Sequence, residues 1–210
     1  MSETLAPLLW CWRHPRAKGA AGRCIGRTDL HVDRRKARRL AHHIRAAARV
    51  HGLPRVVWVS PLQRCREVGR VLRGWGFQVR VDARLLELDF GAWDGQPWTH
   101  IAWAEVEAWQ ADLLQHAPGG GESLAALAQR VQAFVAESAA AQPGAGASVS
   151  SAAPRLVVTH GGWLNALGLL PQLLPPAVAL SAAAWPAPPR HAARVLWPAA
   201  AAAQPPTRRR

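Results

Sequence analysis

The chain has 210 residues, which is enough for one good-sized domain with a sizeable core. Half of its residues are apolar and only 19% are charged, which excludes a disordered, charged tail protein. The net charge of +13 is compatible with a nucleic-acid-binding module, and also with a pocket that attracts an anionic metabolite. Only two of the 26 cations are lysine, an arginine bias that is compatible with genome composition.

Cysteine usage and the N-terminal segment bear on the cellular compartment. Cys11, Cys24 and Cys65 are an odd number at no metal-ligand spacing, so we expect no disulfide framework and favour a reducing compartment. Residues 1–7 lack a basic region, and the apolar run at 8–12 is too short for a signal peptide or a membrane span. We therefore predict a soluble, cytoplasmic protein that does not associate with membranes.

Continuous apolar runs predict strands, and apolar residues spaced three to four apart predict helices. In chain order we predict a strand at 8–12, a helix at 33–51, a strand at 55–59, a helix at 61–75, a strand at 78–81, helices at 98–114 and 124–139, a strand at 155–159, one further helix, and a strand at 193–197. A flexible loop is predicted at about 140–154 and a disordered tail at about 198–210. This order predicts an α/β fold, a single domain over 1–210 built as a three-layer sandwich around a mostly parallel sheet.

Polar residues follow three of the apolar runs, at the points where the predicted strands end. Arg13 and His14 follow the first run, Arg64 lies shortly after the second, and His160 follows the run at 155–159. Ligands of open parallel sheets bind outside the carboxyl ends of the strands, so we expect these four side chains to converge. Arginine offers a fork of donors to phosphate oxygens and a neutral imidazole is a competent nucleophile. The pattern predicts a phosphate site with a histidine nucleophile.

Five sequence blocks resemble, in order and spacing, those of the histidine phosphatase superfamily, also called phosphoglycerate-mutase-like. The blocks are Arg13-His14, residues 24–30 (CIGRTDL), residues 60–64 (SPLQR), residues 86–95 (LELDFGAWDG) and residues 158–162 (VTHGG). Any one block is a weak signal, whereas five in the right order are a strong one. The resemblance implies a phosphoglycerate-mutase-like fold and chemistry without a metal or another cofactor.

The resemblance also implies roles for individual residues. His14 matches the family's nucleophile, which becomes a phosphohistidine, and Glu87 matches the general acid. Arg13, Arg64 and His160 match the cage around the phosphate, where a protonated His160 would stabilise negative charge. The positions that align with substrate contacts are Arg13, Ile25, Gly26, Arg27, Arg64 and Gly161.

Two features leave alternatives open at the site. Asp89 and Asp94 lie close to Glu87 in sequence, and Asp89 is the substitute candidate for the acid. Pro15 stands where the family usually has glycine, and a proline has no N–H to offer a phosphate. The remaining histidines considered are expected to be surface residues: His42, His43, His51, His100, His116 and His191.

Further residues have a structural interpretation beside a functional one. Four tryptophans follow the acid, Trp93, Trp98, Trp103 and Trp109, and we expect most of them to pack in the core or in a lid over about 98–123. One or two are expected to touch a ligand, by stacking on an aromatic base. The basic residues of the helix at 33–51 are expected to form a solvated face, and Cys24 and Cys65 to be small apolar fillers.

The sequence thus predicts a phosphomonoesterase that acts on a small phosphorylated metabolite. Its blocks look closest to the α-ribazole phosphatase branch, which works in cobalamin nucleotide-loop assembly. The alternatives within the superfamily are a broad-specificity or sugar-phosphate phosphatase and a phosphoglycerate mutase. The alternative from another class is a non-catalytic basic module that binds nucleic acid. We expect a monomer or a homodimer with no nucleic-acid partner.

Overall fold

The computed structural model describes residues 8–140, 154–174 and 181–197. Its strands are β1 (Leu9–Arg13), β2 (Val56–Val59), β3 (Gln78–Val81), β4 (Arg155–Thr159) and β5 (Arg194–Trp197). Its helices are α1 (Arg34–Val50), α2 (Gln63–Arg73), α3 (Trp103–Ala111), α4 (Leu124–Ala140), α5 (Gly161–Gly168) and α6 (Leu170–Leu173). Residues 141–153 of the predicted loop and the whole predicted tail lie outside the described residues.

The five strands form one sheet in the order β3-β2-β4-β1-β5. β1, β2, β3 and β4 run parallel, and β5 pairs with β1 in the antiparallel direction. Leu9 pairs with Arg155 on one side and with Trp197 on the other, so β1 lies inside the sheet. The predicted α/β fold with a mostly parallel sheet is confirmed.

Side chains of β1 alternate between two apolar clusters, one on each face of the sheet. Trp10 and Trp12 point into the cluster under α1 and α2, while Leu9 and Cys11 point into the cluster with α4, α5 and α6. Because every strand residue alternates in this way, a strand buried on both faces needs a continuous apolar run. Helices on both faces of the sheet give the three layers that the sequence predicted.

Helix α1 shows how the sequence separates its core face from its charged face. The Asp33 carboxylate caps the helix by accepting hydrogen bonds from the N–H groups of Arg35 (2.8 Å) and Lys36 (3.4 Å). The residues that face the sheet are small or aliphatic: Ala37, Leu40, Ala41, Ile44, Ala47 and Ala48. The arginines between them are exposed, as expected for a solvated face.

The prediction of one continuous helix over 98–114 was wrong. The segment instead begins with a 3₁₀ turn at Trp98–His100, continues through two extended residues, and forms α3 only from Trp103. Ile101 breaks the helix because it turns inward into a small cluster with Cys24 and Trp93. Tertiary packing here overrides the helical spacing of the sequence.

No helix among the described residues is both long enough and apolar enough to span a membrane.

Candidate active site

The carboxyl ends of three adjacent parallel strands bring the predicted residues together. His14 follows β1, and Ser60 and Arg64 follow β2. His160 follows β4, which lies between β1 and β2 in the sheet. The backbone is tied here as well, since His14 N–H donates to Thr159 O (2.9 Å) and Ser60 N–H donates to Val158 O (3.1 Å). The convergence predicted from the strand ends is therefore present.

His14 is buried as a neutral imidazole whose tautomer is fixed by one carbonyl. Its Nδ1 lies 2.7 Å from Pro15 O. A carbonyl oxygen only accepts, so Nδ1 carries the proton and Nε2 keeps its lone pair. Burial, followed by the Arg64 charge, holds the pKa of His14 well below its ordinary value. Pro15 thus serves through its carbonyl, and the N–H that proline lacks is not needed for this contact.

Arg64 is a buried guanidinium that joins three parts of the site. Its Nε donates to His160 Nδ1 (3.2 Å), its Nη1 to Thr28 O (2.8 Å) and its Nη2 to Gly26 O. These three hydrogen bonds use three of the five N–H groups of the guanidinium. Among the described residues the other two N–H groups have no hydrogen-bond partner, and the side chain contributes to the lining of the adjoining cavity.

His160 differs from the expected role of a protonated phosphate ligand. It is fully buried, its Nδ1 accepts from Arg64, and its Nε2 lies 2.7 Å from Ser60 Oγ. Burial, and then the charge of Arg64, holds its pKa well below the ordinary value, so the ring is neutral. Both ring nitrogens have protein partners and the residue is not part of the cavity lining. In this arrangement His160 orients Arg64.

Arg13 reaches the cavity from the end of β1, and within the described part of the chain its guanidinium makes one hydrogen bond. Its Nη1 donates to Pro189 O (2.7 Å), and its Nε is buried without a hydrogen-bond partner among the described residues. Gly161 makes room for this side chain, since a Cβ at Gly161 would lie 3.1 Å from Arg13 Cζ and 2.8 Å from Pro188 Cβ. An unpaired, buried guanidinium N–H is suited to receive an anion.

Glu87 is held against the first turn of α5. Its Oε1 accepts from the N–H groups of Leu88 and Trp163 (both 3.1 Å), and its Oε2 accepts from Gly162 N–H (3.1 Å). The orphan N–H groups of a helix N-terminus are natural partners for a carboxylate. These contacts fix the Glu87 carboxyl group in the wall of the cavity that His14 and Arg13 also line.

These groups line a cavity of about 640 Å³ with chemically different walls. His14, Arg13, Arg64 and Glu87 are among the lining residues. The further lining residues include the cationic Arg16 and Arg23 and the apolar Ile25, Leu88, Phe90, Trp98, Trp109, Leu124, Trp185 and Pro188. The volume lies in the range of small-molecule sites.

The predicted substrate-contact residues of the loop at 24–30 are placed differently from one another. Ile25 lines the cavity, whereas Gly26 and Arg27 do not. The Arg27 guanidinium instead pairs with Asp89 (3.0 Å) and Glu122 (3.6 Å). Asp89, the substitute candidate for the acid, is thereby engaged in an ion pair.

The Asp94 carboxylate holds the same loop in place through hydrogen bonds. Its carboxylate accepts from the N–H groups of Gly26 (3.2 Å) and Thr28 (3.1 Å), and also from Arg27 N–H and Thr28 Oγ1. This turns the carbonyls of Gly26 and Thr28 toward Arg64. A Cβ at Gly26 would lie 2.2 Å from Leu88 O, so the position requires glycine.

His191 was predicted to be a surface residue, and it is exposed, but it also belongs to the cavity lining. Although exposed, it lines the cavity beside His14, with 5.5 Å between the ring centroids, and its Nδ1 donates to His14 O (3.2 Å). Burial of part of the ring, and then the Arg13 charge, lowers its pKa. The available signal was the strand predicted at 193–197: pairing it antiparallel to β1 would have put residues before it next to His14.

No group of three or more His, Cys, Asp or Glu side chains that could hold a metal ion occurs within residues 8–140, 154–174 and 181–197. The three cysteines are buried and free, and burial raises the pKa of Cys65 to about 12. Cys65 Sγ lies 3.6 Å from His160 Nε2. Cys65 therefore packs beneath the site as a neutral thiol, as expected of a filler.

Sequence comparisons give a family and a group of relatives. The family model described as histidine phosphatase superfamily (branch 1) matches residues 9–176. Two curated proteins named glucosyl-3-phosphoglycerate phosphatase, from two strains of Mycobacterium tuberculosis, are 34% identical over 154 residues. This alignment covers 68% of the chain, and the chain spans only 63% of the length of these relatives.

Similar solved structures include the mycobacterial glucosyl-3-phosphoglycerate phosphatase in its native form. That structure has a TM-score of 0.65 and 30% identity, with 81% of each chain covered. The same phosphatase in complex with inorganic phosphate has a TM-score of 0.66 and 29% identity, again with 81% of each chain covered.

A putative α-ribazole-5'-P phosphatase from Escherichia coli K-12 has a TM-score of 0.63 and 23% identity, with 83% of this chain and 82% of that chain covered. At this identity the likeness concerns the fold alone. Taken with the family match and with the site at the strand ends, the comparisons establish that the chain belongs to the histidine phosphatase superfamily.

Proposed function

We propose that the protein hydrolyses phosphate monoesters of small metabolites in two steps, with a phosphohistidine on His14 as the intermediate. The observation that carries this proposal is the state of His14: a buried, neutral imidazole with its Nε2 lone pair free, in a cavity that also presents Arg13, Arg64 and Glu87. A neutral, oriented imidazole is able to attack phosphorus.

In the first step, His14 Nε2 attacks the phosphorus and the bond from phosphorus to the ester oxygen breaks. The unused N–H groups of Arg13 and Arg64 stabilise charge on the non-bridging oxygens. The cycle begins with Glu87 in its protonated form, and Glu87 gives this proton to the leaving oxygen because an alkoxide is a poor leaving group. The products are the alcohol and phosphorylated His14.

In the second step, water attacks the phosphorus and the bond from phosphorus to His14 Nε2 breaks. Glu87, now a carboxylate, takes a proton from the water, which restores the acid for the next cycle. Inorganic phosphate leaves, and His14 returns to the neutral tautomer fixed by Pro15 O. No metal or other cofactor takes part in this scheme.

Two substrates are candidates at the finer level. The sequence blocks support α-ribazole 5'-phosphate, the substrate of the branch they look closest to. The relatives that are 34% identical are named for glucosyl-3-phosphoglycerate, which supports a phosphorylated sugar derivative. A panel containing both compounds, with 3-phosphoglycerate to detect mutase activity, separates these candidates by their kcat/KM values.

The mechanism is tested by His14→Ala, with His100→Ala as the control because His100 is exposed and outside the cavity of His14. We expect His14→Ala to abolish turnover and to lose the acid-labile, base-stable label that the wild type takes from a ³²P-labelled ester. His100→Ala should keep both properties. Turnover or labelling that survives in His14→Ala at the wild-type level would overturn the proposal.

A further inference from the structure

Part of the cavity lining is an aromatic panel, formed by Phe90, Trp98 and Trp109. Phe90 packs edge-to-face against Trp98, with ring centroids 6.2 Å apart at 84°, and against Trp109, at 5.8 Å and 88°. Such contacts hold the rings in defined orientations. Trp98 is 42% exposed and lines the cavity, so part of its ring is open to a ligand.

A second apolar surface lines the cavity along the segment that precedes β5. Trp185 and Pro188 belong to it, and the segment is tied down at two points. Asn165 Nδ2 donates to Pro186 O (2.7 Å), and Arg13 Nη1 donates to Pro189 O (2.7 Å). The aromatic panel and this segment line the same cavity as His14, Arg13 and Glu87.

Hydrogen-bond acceptors are scarce among the side chains that line the cavity. Its four arginines (Arg13, Arg16, Arg23 and Arg64) only donate, and the Glu87 carboxylate already receives three N–H groups. The described lining holds no Asp, Gln, Ser or Thr side chain, and beside His14 and Glu87 its side-chain acceptors are the amide oxygen of Asn165 and Nε2 of His191. Each sugar hydroxyl is a donor that loses free energy if it is buried without an acceptor. This lining suits a phosphate on an organic part that has few hydroxyls.

The neighbouring tryptophans show that this wall is more than ordinary core packing. Trp93 is buried in a small cluster and donates through Nε1 to Glu105 (2.7 Å). Trp103 is 65% exposed, and neither it nor Trp93 lines the cavity. Trp98 differs from both because it packs against Phe90, is partly exposed and lines the cavity.

We propose that the substrate carries an aromatic ring that packs on Trp98, and that Trp98 selects such phosphate esters over polyol phosphates. This inference rests on the proposed phosphomonoesterase function and specifies its substrate class. Stacking of a base on an aromatic side chain changes affinity by roughly 5- to 150-fold, so one exposed tryptophan is sufficient to set the preference.

The test compares three phosphate esters: 2-phenylethyl phosphate, propyl phosphate and glucose 6-phosphate. Their leaving groups are all primary alkoxides, so differences in kcat/KM report how the organic part binds and not how easily the ester bond breaks. We expect 2-phenylethyl phosphate to have a kcat/KM roughly tenfold or more above that of glucose 6-phosphate. In Trp98→Ala, about tenfold should be lost for 2-phenylethyl phosphate, mainly through KM, and little for propyl phosphate. Trp98→Phe should retain most of the preference.

Trp103→Ala is the matched control and should leave all three values unchanged. A preference for glucose 6-phosphate, or a preference for the phenyl ester that persists in Trp98→Ala, would overturn the inference. Circular dichroism and the rate with propyl phosphate report whether each variant is folded.

Calorimetry with 2-phenylethylphosphonate and methylphosphonate separates this inference from the proposed function. If no ester is turned over, the proposed function fails, while tighter binding of the phenyl compound that depends on Trp98 still supports the aromatic site. If the esters are turned over and both phosphonates bind equally, the proposed function stands and the aromatic site is wrong.

Discussion

At the residue scale, three neighbouring histidines have lowered pKa values for the same physical reason. Burial is the largest cause for each of His14, His160 and His191. Arg64 adds to it for His14 and His160, and Arg13 for His191. A cationic, partly dry site therefore keeps its imidazoles neutral. For His14 as the proposed nucleophile, the neutral form is the reactive one.

Keeping these histidines neutral lowers the stability of the folded protein at acidic pH. Below pH 6.5 the unfolded chain protonates His14 and His160, while the folded protein keeps them neutral until the pH reaches their much lower folded pKa values. The unfolded state then binds more protons, so we expect the free energy of unfolding to fall as the pH drops from about 6.5 toward 5. Each histidine contributes at most about 1.4 kcal/mol per pH unit.

Urea denaturation between pH 7.5 and 5 measures this effect. His160→Gln should reduce the pH slope, whereas His42→Gln, on the exposed face of α1, should leave it unchanged. A slope that is the same in His160→Gln as in the wild type would contradict the prediction.

The general acid is tested by a dependence on the leaving group. Glu87→Gln keeps the size of the side chain but has no proton to give, so we expect kcat for an alkyl phosphate to fall about 10²- to 10⁴-fold. Nitrophenyl phosphate needs little protonation, and its rate should fall far less. Asp89→Asn serves as the comparison, because Asp89 is paired with Arg27. Equal losses on both substrates in Glu87→Gln would assign the acid role to another group.

At the scale of elements, helix α4 holds the loop that carries Glu87 through a single arginine. Arg130 donates to the carbonyls of Arg84 (2.8 Å), Leu86 (2.6 Å) and Glu87 (3.0 Å). Its Nε and Nη2 also bind both oxygens of the Glu122 carboxylate, at 2.6 and 2.8 Å. The loop thus owes its shape to a side chain far along the sequence.

Removing Arg130 should lower the stability of the protein and weaken the proposed action of Glu87 as the general acid. We expect Arg130→Ala to cost about 3 kcal/mol of the free energy of unfolding, because it leaves the Glu122 carboxylate without its main partner. We also expect kcat for an alkyl phosphate to fall more than that for nitrophenyl phosphate, since the loop carries Glu87. The control is Arg66→Ala, an exposed position on α2. Unfolding by urea together with the ratio of the two rates checks both expectations, and an unchanged ratio would confine Arg130 to a structural role.

The elements that the sequence predicted well are those with a local signal. β1, β2 and β4 are continuous apolar runs, and α1 has a cap and a regular apolar stripe. The segment at 98–114 was predicted as one helix, but Ile101 turns inward there. This turn depends on a tertiary contact that no local pattern encodes. Elements with a regular local pattern could be predicted from the sequence, whereas an element whose shape depends on tertiary packing could not.

The same distinction applies to the site. Arg13, His14, Arg64 and His160 follow directly from strand ends, and Glu87 followed from the sequence block around it. The ion pairs of Arg27 and the hydrogen bonds of His160 depend on side-chain geometry, which a sequence block does not contain. His191 was missed because its position depends on the antiparallel pairing of β5 with β1.

At the scale of the whole molecule, the positive charge is divided between a solvated surface and the cavity. The exposed arginines of α1 account for part of it, while Arg13, Arg16, Arg23 and Arg64 line one cavity. Positive walls around a cleft raise the local concentration of an anionic substrate. Under the proposed function, the four arginines of the cavity would attract the anionic substrate, so part of the +13 charge of the chain would assist binding.

We therefore expect kcat/KM for a dianionic phosphate ester to fall several-fold between about 50 and 500 mM salt, as screening shortens the reach of these charges. Arg16→Gln at the cavity should lower kcat/KM at low salt, whereas Arg38→Gln on the exposed face of α1 should change it little. Stopped-flow or steady-state rates over a salt series measure this. Equal effects of the two variants would show that only the total charge matters.

The position of β1 inside the sheet has a consequence for how the protein folds. Its two neighbours, β4 and β5, lie far along the chain, so β1 gains its hydrogen bonds only after long loops have closed. A fragment that stops before β4 holds both His14 and Glu87 and yet has no frame that aligns them. Activity should appear in refolding only with completion of the whole sheet, at a rate set by these distant pairings, and no N-terminal fragment should show partial turnover.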